Sequence, residues 1–378
     1  MNTTIFALWV FSTAVFAGEM PYSILDTRYS SRIENRESRN EVVYRGMSDA
    51  SAAAAVSDDM FVVADDENNI LRVYKTGVGG LPQFSCDMTG FLDVEPEYPE
   101  ADIEGATLVG DRIYWITSHG RNKDGQMRPN RYRFFATTVK IENGKVSIAP
   151  VGKPYKTLIH KLVQTQTGRR LGLDKATRFD EVGLTKKELK KLAPKEQGLN
   201  IEGLCASPDG KVLYIGLRNP LVENKITGRG RAIVVTLNNP AAVVERGEAP
   251  VFGEEMLWDL GGLGTRSMEY SPFHKAYFIV AGPRDEGPGF ALYRWSGEKE
   301  NPPVLVRQLS YGDFSPEAIV PFKSSSRLLL LSDDGTVVVK VSGPDECMEG
   351  EYRSDGTCLN KFLIDPNKKT FRAMWLTP

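Results

Sequence analysis

Asp102-Ile103-Glu104-Gly105-Ala106, then Arg112-Ile113-Tyr114-Trp115-Ile116, then Ser118-His119-Gly120-Arg121-Asn122-Lys123-Asp124, form the stretch on which the rest of the chain is patterned. An acidic residue leads into a short apolar strand, Gly110-Asp111 turns it back, and an aromatic strand runs into a loop dense in polar groups. Short apolar runs separated by Gly, Asp and Asn are the signature of antiparallel strands and their turns.

The pattern returns four more times. Ser48-Asp49-Ala50-Ser51-Ala52-Ala53-Ala54-Ala55-Val56 precedes Met60 to Ala64. Ile201-Glu202-Gly203 precedes Val212 to Ile215, Thr265-Arg266-Ser267 precedes Ala276 to Val280, and Pro316-Glu317-Ala318 precedes Arg327 to Leu331. Each second strand ends in a polar loop: Asp65–Asn69, Ser118–Asp124, Arg218-Asn219-Pro220, Gly282–Asp285 and Ser332–Gly335. A third strand follows each loop: Ile70–Tyr74, Arg133–Val139, Ala232–Leu237, Phe290–Trp295 and Thr336–Val341. The Ala run favours helix by propensity alone. Its place in the repeat makes it an inner strand with no room for larger side chains.

A four-stranded unit of about 50 residues repeated in this way marks a β-propeller. The expected fold is all-β, a single five-bladed propeller over residues 18–378 with a helical insertion at 155–199. Glu41–Arg45 is placed to serve as the outer strand of the last blade. The strand Lys369–Leu376 leaves six blades as the alternative count, and a β-sandwich would not explain the repeat.

Within the insertion, Thr185-Lys186-Lys187-Glu188 is a capping box, and Tyr155 to Thr165 forms a second helical segment. The insertion holds eleven Lys/Arg and five Asp/Glu, whereas the whole chain has a formal charge of −2. It is either a solvated decoration or a basic lid.

At 378 residues the chain has space for two average domains, but all-β architectures of this length often form one unit. Hydrophobic content of 41% and charged content of 25% are those of a globular protein. The charge lacks the basic excess of a general nucleic-acid binder, and three His are few for a His-rich metal enzyme. Residues 2–17 are apolar and end in Val15-Phe16-Ala17, a signal-peptide pattern over 1–17 despite the missing basic residue at its start. Gly18-Glu19 interrupts too early for a membrane span. Export to the periplasm or the extracellular space is the expected localisation, with no membrane span in the mature chain.

Export permits disulfides. Cys347 and Cys358 flank a turn-rich loop and are expected to pair. Cys205 reads as a buried small hydrophobe, and Cys86 has no evident partner. No Cys/His zinc spacing and no G-x-S-x-G elbow occurs.

Propeller topology places the start of each first strand and the end of each second strand on one face. That face collects Asp49, Ser51, Glu104, Glu202, Arg266 and Glu317 near the axis, together with the polar loops. Glu104, Glu202 and Glu317 are candidate ligands for Ca²⁺, which takes several oxygen ligands. Equally, they could accept backbone N–H groups and stitch the blades together. Arg266 could clamp an anion by its fork or pair with those carboxylates. His119 is the candidate proton-transfer group and Arg121 a second anion clamp. Asn122, Asp124, Arg218 and Asn219 are candidate ligand-binding residues, although Asn122–Gly125 is also good turn chemistry. Asp65–Asn69 resembles a Ca²⁺ loop only loosely and fits a solvated turn better. His160 and His274 read as surface residues.

Several pieces carry a family resemblance: Asp49–Ala52, Phe61–Glu67, Asp102–Gly105, Ser118–Gly125, Asn200–Leu204 and Phe371–Leu376. They resemble a bacterial secreted propeller family catalogued as domain of unknown function 3616. The resemblance implies a propeller and no known reaction. More distantly, the Glu-Gly start of an inner strand looks like that of calcium-dependent propeller hydrolases of the gluconolactonase and phytase-like types, without their His pairs or dense Asp/Glu sets. The expected function is a metal-dependent hydrolase of a small anionic or sugar-like ester. The alternative is a non-catalytic ligand- or protein-binding module.

Overall fold

Five antiparallel sheets follow one another around an axis in a computed structural model of the chain, which describes residues 41–285, 287 and 289–378. Residues 1–17, expected to be a signal peptide, and the stretch up to Asn40 lie outside the described residues. Blade one runs outward from the axis as Ala50–Ala55, Met60–Asp65, Ile70–Lys75 and Phe84–Asp87. Blade two is Ile103–Val109, Arg112–Thr117, Phe134–Glu142 and Lys145–Tyr155. Blade three is Asn200–Ala206, Leu213–Asn219, Gly230–Leu237 and Met256–Trp258, with the helix Pro240–Arg246 between its last two strands. Blade four is Gly264–Ser271, Ala276–Gly282, Phe290–Trp295 and Val304–Leu309. The five inner strands neighbour one another in a closed ring.

Blade five closes that ring. Its order from the axis is Pro316–Pro321, Leu328–Ser332, Thr370–Leu376 and then Glu41–Arg45 from the other end of the described chain. The outer-strand role expected of Glu41–Arg45 is what the structure shows, and the described residues form five blades, not six. The third strand differs from expectation. Thr336–Val341 does not fill that place: Val338–Lys340 pairs with Thr357–Leu359 in a separate two-stranded hairpin, and the C-terminal strand supplies the blade. The repeat was broken here by an insertion that periodicity alone could not see. Tyr44 seals the junction, stacked 5.1 Å from Phe371 and edge-on to Phe61 and Tyr74 of blade one.

Each inner strand carries an irregularity at the same place, and that of blade three has a second one between Asn200 and Ile201. The register with the second strand skips a residue between Ala50 and Ala52, Ile103 and Gly105, Ile201 and Gly203, Thr265 and Ser267, and Pro316 and Ala318. The extra residues of these β-bulges are Ser51, Glu104, Glu202, Arg266 and Glu317. A bulge leaves its extra residue outside the ladder and re-aims its side chain. The Ile-Glu-Gly motif thus divides its labour. Ile103 and Ile201 are fully buried, Glu is the bulged residue, and Gly permits close approach of the next blade. A Cβ on Gly105 would lie 2.8 Å from both Ile116 and Leu204, and one on Gly203 would lie 2.7 Å from Thr265.

The helical insertion is no solvated decoration. Its helices span Leu158–Gln164, Gln166–Arg170, Leu173–Thr177 and Lys186–Lys191, the last with the expected capping box at Thr185 and Glu188. Leu158, Ile159, Leu162 and Leu173 are fully buried in one cluster with Phe134 and Ile116 of blade two and Ile201 and Ile215 of blade three. The expected Cys347–Cys358 bridge is absent: both are free thiols, buried together with Leu363 in the small core of the hairpin insertion. Burial, and then the adjacent Cys347, push the Cys358 thiol up to about 11. Cys205 is buried as expected. Among the described residues, no helix is long and apolar enough to cross a membrane.

Candidate functional site

The bulged residues meet at the axis and divide into two electrostatic halves. On one side Arg266 of blade four links Glu202 of blade three to Glu317 of blade five. Its Nε lies 3.2 Å from Glu202 Oε2, and its other end pairs with Glu317. Arg218 donates to Glu202 Oε1 at 2.8 Å and Asn200 donates to the same atom at 2.7 Å. All four charged side chains are buried. Burial and the neighbouring Arg218 pull the Arg266 guanidinium down to about 10, against the opposing pull of Glu202, Glu104 and Asp333.

This half answers several sequence expectations. Glu202 and Glu317 do not stand free beside Glu104 as a cation cage; guanidinium groups already occupy them. Nor does either accept a backbone N–H group among the described residues. Blade-to-blade stitching by hydrogen bonds comes instead from Ser51 to the Ile103 carbonyl, Ala206 N–H to Thr107 and Ile319 N–H to Ser267. The ionic link through Arg266 adds to it. Arg266 therefore has its fork filled by protein carboxylates and is not presented to an anion.

On the other side most carboxylates lack such partners. Asp66, Asp102 and Glu104 offer oxygen atoms all within 4.8 Å of one another, as do Asp49, Asp66 and Glu67. Asp66 Oδ1 is shut off from solvent and accepts no hydrogen bond. Burial, followed by Asp49 and Glu104 for Asp66 and by Glu202 and Asp102 for Glu104, pushes both carboxyls well above the usual range. Asp49 rises to about 9 through burial and then Asp333 and Asp65. Two of these carboxylates have cationic partners: Asp102 accepts from Ser118 with Arg131 Nη1 2.9 Å away, and Glu67 pairs with Lys361 at 2.6 Å. Arg131 also pairs with Glu100. Beside it lies a cavity of about 170 Å³ lined by Glu97, Tyr98, Pro99, Glu100, Arg128 and Arg131. The Arg128 guanidinium sits 3.9 Å above the Tyr98 ring.

His119 and its loop are placed elsewhere in function. His119 is only 1% exposed, in a left-handed conformation with φ 51°. Its Nδ1–H donates to the Thr117 carbonyl at 2.8 Å and its ring packs edge-on against Tyr132. Tyr132 in turn meets His160 and Phe179 of the insertion, which stack at 3.8 Å. Burial holds His119 down to about 4. The imidazole is enclosed by its own blade and the insertion and is not presented to the solvent-facing mouth. His160 is likewise no surface residue, and His274 is half-buried against Ser271.

Arg121 is 2% exposed and spends its donors on the Gly125, Thr177 and Arg178 carbonyls and on Glu181. It clamps the insertion and is not a free anion clamp. Asn122 Oδ1 accepts from the N–H groups of Asp124 and Gln126, the turn alternative, and Asp124 is exposed. Arg218 reaches the Pro283 and Asp285 carbonyls besides Glu202, and Asn219 donates to the Pro194 carbonyl at 2.7 Å. Asn122, Arg218 and Asn219 hold loops together, and Asp124 faces solvent.

Asp66 lies in a segment whose sequence fits a solvated turn, yet its Oδ1 is shut off from solvent. The signal that would have found it is topological: Asp66 ends a second strand on the face where Glu104 begins a first strand one blade away.

The family model described as Protein of unknown function (DUF3616) matches residues 49–325. No curated protein matches the chain at a significant level. Solved structures that match include an oxidoreductase (glucose dehydrogenase) from Thermus thermophilus, 12% identical with a TM-score of 0.39 over 89% of this chain and 100% of that one. The glutaminyl cyclase of Myxococcus xanthus is 10% identical with a TM-score of 0.35 over 77% of this chain and 88% of that one. A GH43 glycoside hydrolase is 12% identical with a TM-score of 0.39 over 80% of this chain and 53% of that one.

Proposed function

The chain belongs to the DUF3616 family, whose function is unknown, and we propose that it binds a divalent cation at the axial carboxylates and hydrolyses a small anionic or sugar-like ester there. One observation carries the reading: Asp66, Asp102 and Glu104 converge, with Asp66 Oδ1 buried and without a hydrogen-bond donor. Buried carboxylates that repel one another cost free energy unless a positive charge joins them. An all-oxygen donor set suits Ca²⁺, Mg²⁺ or Mn²⁺.

A cation held there would supply Lewis-acid polarisation of an ester oxygen. The chain's own groups then position the ligand. Arg128 has the charge to hold an anionic group at the adjoining cavity, and Tyr98 offers an apolar ring to a sugar face. Arg131 fixes Asp102 from behind. The ligand-binding role thus moves from the His119 loop to the cavity rim. The enclosure of His119 also favours the second reading, a binding module that uses the same cation to hold a glycan or an anionic ligand without turnover. Export to the periplasm or the extracellular space stays part of the proposal. N-terminal sequencing of the secreted protein checks it, with cleavage after Ala17 as the expected result.

The deciding measurement is thermal unfolding after EDTA treatment, then with Ca²⁺, Mg²⁺ or Mn²⁺ added. A cation at 100 times its dissociation constant stabilises by about 2.7 kcal/mol. Glu104→Gln and Asp66→Asn should abolish the shift while raising the midpoint of the metal-free protein, because each removes a repelling charge. No shift with any of the three ions sinks the cation site. With the shift established, an ester panel separates the two readings: turnover that requires the cation supports hydrolysis, and binding without turnover supports the module.

A further inference from the structure

We infer that the axial mouth takes two divalent cations bridged by the Asp66 carboxylate. The inference rests on the cation reading above and goes beyond it. Asp66 belongs to both acidic groups: with Asp102 and Glu104 from blade two, and with Asp49 and Glu67 from blade one. A carboxylate has two oxygens and about four lone-pair sites, enough to ligate one cation on each side. Asp66 Oδ1 is sealed from solvent and accepts no hydrogen bond from a described residue. An unpartnered buried oxygen in the middle of two acidic groups is the feature that one cation, placed beside Asp102 and Glu104, would leave half explained.

The surrounding charges agree. The five carboxylates Asp49, Asp66, Glu67, Asp102 and Glu104 have two directly paired cationic side chains. Arg131 takes Asp102, and Lys361, reaching over from the hairpin insertion, takes Glu67 at 2.6 Å. Asp49 is 3% exposed and has only the Ser48 hydroxyl as a side-chain donor. Asp333 adds a further negative charge to both Asp49 and Asp66. One divalent cation leaves this group acidic. Two neutralise it closely, and the Lys361 ammonium then marks the outer edge of the second position.

Two cations about 3.5–4 Å apart make a clamp that can hold both the attacking and the leaving oxygen of an in-line displacement. The ligand class this selects is a phosphate mono- or diester, in which two non-bridging oxygens can be shared between the ions. That narrows the anionic ester of the preceding proposal to a phosphoester.

The test uses Mn²⁺ on the EDTA-treated full-length protein, by calorimetric titration and by electron paramagnetic resonance. About two Mn²⁺ per chain with an exchange-coupled spectrum are expected. Glu67→Gln should leave about one Mn²⁺ with an uncoupled six-line spectrum, and Glu104→Gln should do the same from the other side. Asp66→Asn should weaken both ions together. Circular dichroism confirms that each variant is folded, and because all three changes remove a repelling charge, agreement of two of them suffices. A single Mn²⁺ per chain, unaffected by Glu67→Gln, overturns the two-ion inference and leaves the single-cation reading standing. Two uncoupled ions overturn the bridge. No binding at all removes both this inference and the proposal beneath it.

Discussion

Ser51, Glu104, Glu202, Arg266 and Glu317 occupy one structural position in five blades, so side-chain chemistry alone sets them apart. Arg266 turns two of the three glutamates into a buried ion-pair network, and Glu104 is left to the acidic side. Breaking a buried pair from one side strands a charge and costs about 3–5 kcal/mol. Arg266→Ala should therefore lower stability by that order, with Glu317 the residue most exposed to the loss, since Arg218 still holds Glu202. Glu317→Gln in the Arg266→Ala background should recover a large part. Urea unfolding of the three variants checks this. A loss below about 1 kcal/mol for Arg266→Ala would show that the network does not hold the axis together.

The helical insertion and the hairpin insertion break the repeat at the level of elements, and both emerge on the face that carries the acidic group. The helical insertion is built into the propeller core through Leu158, Ile159, Leu162 and Leu173. Leu162→Ala is expected to cost about 2–5 kcal/mol. A decoration held only by its own helices would transmit almost none of that to global unfolding, where surface changes stay within about 0.5 kcal/mol. The denaturation midpoint of this one variant decides between them. The basic excess of the insertion, read as a lid property, is spent partly on structure: Arg170 pairs with Glu255, and Arg169 bonds the Gln164 carbonyl.

Ring closure belongs to the whole molecule. The strand Glu41–Arg45 pairs residue by residue with Thr370–Met374, and Tyr44 is fully buried between blades five and one. Without it the C-terminal strand becomes an open edge, a template for pairing with another chain. A chain beginning at Gly46 should have a lower urea midpoint and should self-associate in sedimentation. An unchanged midpoint with a monomeric species would mean that the blade is complete without its outer strand.

The sequence by itself determined the repeat, the closing strand and the phase that brings Glu104, Glu202, Arg266 and Glu317 to one axis, while the choice of five blades over six waited for the pairing of the C-terminal strand. The first three rest on local periodicity: strands alternate with a period of two, and turns are written in Gly, Asp and Asn. The hairpin at Val338–Leu359 escaped because one short strand looks like another until its partner is known. The division of the axis into a paired and an unpaired half was decided only by the tertiary structure. Arg218 and Arg266 come from neighbouring blades, and whether a carboxylate meets a guanidinium or another carboxylate is a matter of a few ångströms between residues far apart in the chain. His119 shows the same limit. Its residue type promised proton transfer, but the ring lies under Tyr132, which His160 and Phe179 of the insertion cover in turn, and burial keeps it neutral; no local pattern records that layering.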